Sequence, residues 1–185
     1  MSQISLPNDA RALSTLSRID YHDALRVDSG AELSAEQWAR AALEDASPAV
    51  RARLLLGWTA LGLRLGAPWS EHRVLGWKIE HSTSSHLLLT ARSWLGLRGQ
   101  LLFRREPHGL LFATFIQQSN PAARTLWAAI TTTHQHTVRS LLTHAARRQA
   151  GWSTPTDDRP VPARRATGSW PRERSASTPA AARRA

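Results

Sequence analysis

The stretch from Pro121 to Arg148, PAARTLWAAITTTHQHTVRSLLTHAARR, constrains this chain more than any other. At 3.6 residues per turn, Ala123, Trp127, Ile130, Val138, Leu141 and Ala145 share one stripe centred on His134. Arg124, Gln135, Arg139 and Thr143 lie off it. Asn120 suits an N-cap, Pro121 the first helical position, and Gly151 follows the last basic turn. A long helix with one apolar stripe must lie on an apolar surface, and the rest of the chain has to supply it.

The segment just before it does so with a period of two. In Val74–His81, Leu75, Trp77 and Ile79 share a face, opposite Lys78 and Glu80. Ser82–Ser85 is a polar turn, and His86–Ser93 returns with Leu87, Leu89 and Ala91 facing one way, which predicts a hairpin. Gln100–Arg105 and Gly109–Gln118 form the next pair across Glu106-Pro107-His108. In the last strand Leu111, Ala113 and Phe115 face one side and Leu110, Phe112, Thr114 and Ile116 the other, a pattern that fits cover on both faces.

Upstream, Ile19–Val27 alternates as a strand, with Asp23 interrupting its apolar side. Two short helices follow. Ser34 and Gln37 have capping-box spacing ahead of Trp38, Ala41, Ala42 and Ala46. Ser47-Pro48 then opens a second helix carrying Val50, Leu54, Leu55, Trp58 and Leu61. Trp69 and Trp94 fall in loops, where exposed rings would guard a pocket mouth or meet a partner. Residues 1–14 are polar and small and read as a flexible start, and 15–150 read as the folded domain. Residues 151–185, rich in Arg, Pro and Ala, hold too few large apolar side chains to offset ordering entropy and read as a disordered tail.

Composition removes several functions. The absence of cysteine excludes disulfides, thiolate metal sites and cysteine nucleophiles, and makes a reducing cytoplasm the expected location. No apolar run reaches the ~18–20 residues of a membrane span, and no signal peptide is expected. The net charge of +10 is uneven: −2 over residues 1–60, +8 over 61–150 and +4 over 151–185. Arg92, Arg98, Arg104 and Arg105 are dispersed and accompany no nucleic-acid-binding motif, so solvated surface is the favoured reading. His134 and His136 point apart on a helix, and His81 with His86 has no third ligand, so no metal site is expected. Neither a phosphate-cradling glycine motif nor a nucleophile elbow occurs, and no cofactor is expected.

The order strand, two helices, antiparallel strands, long helix is that of an α+β fold in which a sheet is gripped by its C-terminal helix. Three segments, IDYHDALRV, VLGWKIEHST and NPAARTLWAAITTTHQHTVRSLL, carry a further likeness, the last with Trp127 near the helix start and His134 seven residues on. In these the chain resembles the START-like superfamily (SRPBCC, polyketide-cyclase-like), and is similar to a bacterial domain-of-unknown-function family assigned near it. Four strands are counted between the helix pair and the long helix, fewer than helix-grip proteins usually have.

The resemblance implies an apolar cavity between sheet and long helix that binds a hydrophobic small molecule. Trp77, Phe103, Phe115, Trp127, Ile130 and His134 are the expected lining. His134 is the residue to explain, because a polar ring on an apolar stripe needs a polar partner or a polar pocket. Two alternatives stand beside the binding reading. One is a cyclase or dehydratase using His134 as acid/base with an acid such as Asp23. The other is an Arg-rich module for nucleic acid or an acidic partner.

Overall fold

The computed structural model describes residues 1–68 and 70–152, with side chains through Gln149. Its centre is one antiparallel sheet of seven strands: β1 (Ser2–Gln3), β2 (Tyr21–Asp28), β3 (Arg73–Val74), β4 (Trp77–Ser82), β5 (His86–Arg92), β6 (Leu97–Glu106) and β7 (Gly109–Gln118). The spatial order is β1-β2-β7-β6-β5-β4-β3, so the first long strand closes against the last. Four helices occur among the described residues: α1 (Asn8–Arg11), α2 (Ala35–Leu43), α3 (Pro48–Ala60) and α4 (Pro121–Trp152). The fold is therefore α+β, an antiparallel sheet with a long C-terminal helix.

The expected caps are present. Ser34 and Gln37 exchange the two bonds of a capping box at the start of α2, and the Ser47 hydroxyl accepts from the Val50 amide at the start of α3. Asn120 Oδ1 accepts the Ala123 amide at 2.7 Å, while its amide group donates to the Leu95 carbonyl, which ties the start of α4 to the loop before β6. Of the expected α4 stripe, Ala123, Trp127, Val138 and Ala145 are buried and Ile130 and Leu141 half-buried, while Leu142, outside that stripe, is buried as well.

One face of the sheet meets the helices. Leu25 and Val27 of β2, Phe103 of β6 and Phe112 of β7 pack there with Trp38 of α2 and Val138 and Leu142 of α4. The opposite face is also covered, by the N-terminal segment. Ile4, Leu6, Leu13, Leu16 and Ile19 pack on Ala24, Leu88, Leu102, Leu111, Ala113 and Phe115. This corrects the reading of residues 1–14 as a loose start. Their few apolar side chains sit where β7 needs a second cover, and Ala10 is fully buried. Polar contacts fix the path: Ser14 and the Thr15 amide bond the buried Gln100, and Arg104 pairs with Asp9 at 2.8 Å.

The predicted strand from Val74 is broken. Leu75 and Gly76 both take positive φ, 44° and 87°, and turn the chain sharply between β3 and β4. Period-two counting cannot see this, because Leu75 fits the alternation and is itself buried, with its amide held by Glu44 at 2.9 Å. The break gives five strands rather than four between the helix pair and α4. Apart from the helical backbone of Gly151 and Trp152, the expected tail lies outside the described residues, as does Trp69.

Candidate functional site

The register of β2 against β7 builds the polar part of the site. Asp23 lies opposite Thr114, Tyr21 opposite Ile116 and Leu25 opposite Phe112, all on the helix-facing side. From α4, His134 reaches this row. Its Nε2 lies 3.3 Å from Asp23 Oδ2 and 3.2 Å from Thr114 Oγ1. The Tyr21 hydroxyl donates to the same Asp23 oxygen at 2.9 Å, and Gln135 donates to the Tyr21 oxygen at 3.1 Å. Trp127, two turns before His134 on α4, stands with its ring 5.1 Å from the imidazole and 5.2 Å from Tyr21.

The Asp23 side chain is 6% exposed and that of His134 16%. Burial alone would raise the Asp23 pKa, yet bonding and attraction from His134, with bonds from Tyr21 and Thr114, hold it below the usual carboxylate value. Asp23 is therefore an anion, and Nε2 of His134 carries the hydrogen that faces it. Burial first, then the Asp23 charge, push the Tyr21 phenol far above its ordinary range, so Tyr21 stays a donor. The second carboxylate oxygen, Oδ1, is buried without a hydrogen-bond partner.

Beside this network lies a cleft of about 880 Å³. The sheet contributes Trp77, Leu97, Gly99, Leu101, Thr114 and Ile116; α4 contributes Leu126, Trp127, Ile130, His134, Thr137 and Leu141; α3 covers the outer side. Helix α3 buries only Leu54, and Leu56, on the cleft lining, is 72% exposed, so the cleft opens past this helix. Its volume lies within the range of ligand sites, ~300–1,000 Å³. Gly99 makes room for the Trp77 ring: a Cβ there would sit 3.2 Å from Cη2.

Of the six lining residues expected from sequence, Trp77, Trp127, Ile130 and His134 border this cleft. Phe103 does not; it is fully buried against Phe112 and borders a side pocket of about 50 Å³. Phe115 is a correction. It points to the opposite face, into the cluster beneath the N-terminal segment. The alternation in β7 already separated Phe115 from Thr114, but it did not say which row faced the long helix. Sequence reasoning missed Thr114, Tyr21, Gln135 and the whole contribution of α3. His134 on the apolar stripe and the polar interruption at Asp23 were the signals that pointed here.

The remaining candidates are dispersed. His81 and His86 face each other with ring centroids 5.1 Å apart, and no group of three metal-binding side chains occurs among the described residues. Arg104 is paired with both Asp9 and Glu106. Trp94 is 68% exposed and lies over Gly62, beyond the end of α3. No helix among the described residues is long and apolar enough to cross a membrane. Comparison with protein-family models, curated proteins and solved structures gives no match to the chain.

Proposed function

We propose that the protein is a helix-grip-type domain that holds a hydrophobic small molecule in the cleft between the sheet and helices α3 and α4. The observation that carries this reading is the cleft itself: about 880 Å³, walled by tryptophan and aliphatic side chains. Its polar side chains are Arg53 on α3, Thr114 on the sheet, and Thr133, His134, His136, Thr137 and Ser140 on α4. An apolar body gains by leaving water for the apolar walls, roughly 25 cal/mol per Å² buried, and a single polar group at one end fixes its orientation. The strand order, with β2 closing on β7 and the long helix last, supports the likeness to START-like proteins.

Native mass spectrometry and thermal-shift screening against fatty acids, sterols and aromatic polyketides test the reading. The expected result is a bound mass and a raised Tm; a ligand at 100 times its Kd adds about 2.7 kcal/mol. Ile130→Lys puts a charge on the cleft wall at a half-buried position. It should remove binding while leaving the circular dichroism spectrum unchanged. A wild-type protein that takes up none of these compounds overturns the proposal.

A further inference from the structure

We infer that His134 is a general base for carbon acids, with Nδ1 as the proton-accepting atom, Asp23 as its positioning residue and Thr137 as donor to the substrate oxygen. This rests on the reading of the cleft as an apolar small-molecule site and names the chemistry performed there. The substrate class is an apolar molecule with a C–H bond next to a carbonyl.

The tautomer comes from the bonding. Asp23 is an acceptor, and its Oδ2 lies 3.3 Å from Nε2, so the ring hydrogen sits on Nε2. In the neutral ring Nδ1 then holds the lone pair, and no described residue bonds it. The ring borders the cleft while its Nε2 edge is turned to β2 and β7. This is an oriented base backed by a buried anion, the arrangement that stabilises an imidazolium as it forms.

A further observation concerns the threonines that flank His134. On α4, Thr125, Thr131 and Thr143 return their hydroxyls to the carbonyl four residues back. Thr132, Thr133 and Thr137 make no such bond among the described residues. Thr133 and Thr137 both border the cleft, and Thr137 stands one turn beyond His134, where its hydroxyl is available to a ligand.

The step balances without an added reagent. Nδ1 takes the α-proton, the C–H pair becomes the C=C bond of the enolate, and the carbonyl π pair moves to oxygen, which accepts a hydrogen bond from Thr137. The imidazolium then gives its proton to a conjugated carbon, which is isomerisation, or swaps it with solvent water in the open cleft and returns the new one to the same carbon, which is exchange.

The probe is 2-tetralone in D2O, with α-proton exchange followed by NMR and cleft occupancy by N-phenyl-1-naphthylamine fluorescence. Wild-type protein should speed exchange at least ~100-fold over an equal concentration of imidazole, the lower range for a positioned base. His134→Gln should abolish the acceleration while the dye still binds. Asp23→Asn should lower kcat with KM unchanged, Asp23→Glu should restore part of it, and Thr137→Val should lower kcat. Dye binding without exchange in the wild type overturns the inference and leaves the binding proposal standing. Exchange that survives His134→Gln also overturns it. Failure of the wild type to bind either 2-tetralone or the dye overturns both.

Discussion

Nε2 of His134 meets Oδ2 of Asp23 at 3.3 Å, joining the middle of the long helix to the strand that closes the sheet. Tyr21 and Thr114 add bonds on either side, so a charged carboxylate is kept in a largely apolar setting. Removing one partner is more damaging than removing both. His134→Leu should cost ~2–3 kcal/mol in urea unfolding, because the buried carboxylate loses its main partner. The double replacement Asp23→Leu, His134→Leu should cost less than the sum of the single ones. Additive losses would show that the pair does not interact in solution.

The same carboxylate sets an acid limb. In the unfolded chain it titrates near 3.9, and in the folded protein it is held below the ordinary value. As pH falls, the unfolded state takes the proton first. The stability due to the anion is present above the unfolded value and is lost as pH drops through the folded one. The Tm difference between wild type and Asp23→Asn should therefore narrow from about pH 4 downward. Exposed Asp9 and Asp20 are shifted in the same direction, but both proteins share them, so the comparison isolates Asp23. A constant difference from pH 6 to 2 would refute the assignment of Asp23 as the anion.

Gly109 begins β7 with φ 139°, and a Cβ there would lie 2.0 Å from the Val27 carbonyl oxygen. The obstacle is backbone, so it cannot rotate away. Gly109→Ala should destabilise the protein by ~2–4 kcal/mol and loosen the pairing of Asp28 with Gly109. Hydrogen exchange at the end of β2 reads this directly, and unchanged protection there would count against it.

The N-terminal segment is a structural cover. Deleting residues 1–16 should uncover Leu88, Leu102, Leu111 and Phe115 together, lower Tm and increase binding of anilinonaphthalene sulfonate. A truncated protein with the wild-type melting curve would show that the second face does not need this layer.

The elements of this fold were legible because each obeys a local rule. Capping residues mark the starts of α2, α3 and α4, and period-two runs mark the sheet. The turn at Leu75-Gly76 was hidden, since a leucine at positive φ breaks the local preference and is held there by burial and by Glu44. The cover over the back face was hidden for a related reason. Ile4, Leu6, Leu13, Leu16 and Ile19 follow neither a helical nor a strand period, so no pattern counts them as a layer.

By itself the sequence determined that a long amphipathic helix must lie on an antiparallel sheet, that its stripe carries one histidine, and that Asp23 interrupts an otherwise apolar strand face. Those are properties of spacing along one segment, set by 3.6- and two-residue periods. Only the tertiary structure decided that the two polar residues meet, that Thr114 rather than Phe115 faces the helix, and that α3 stands off far enough to leave a cleft. Which of two alternating rows turns inward depends on strand register and on what packs against each face, and both are fixed by contacts between segments distant in the chain.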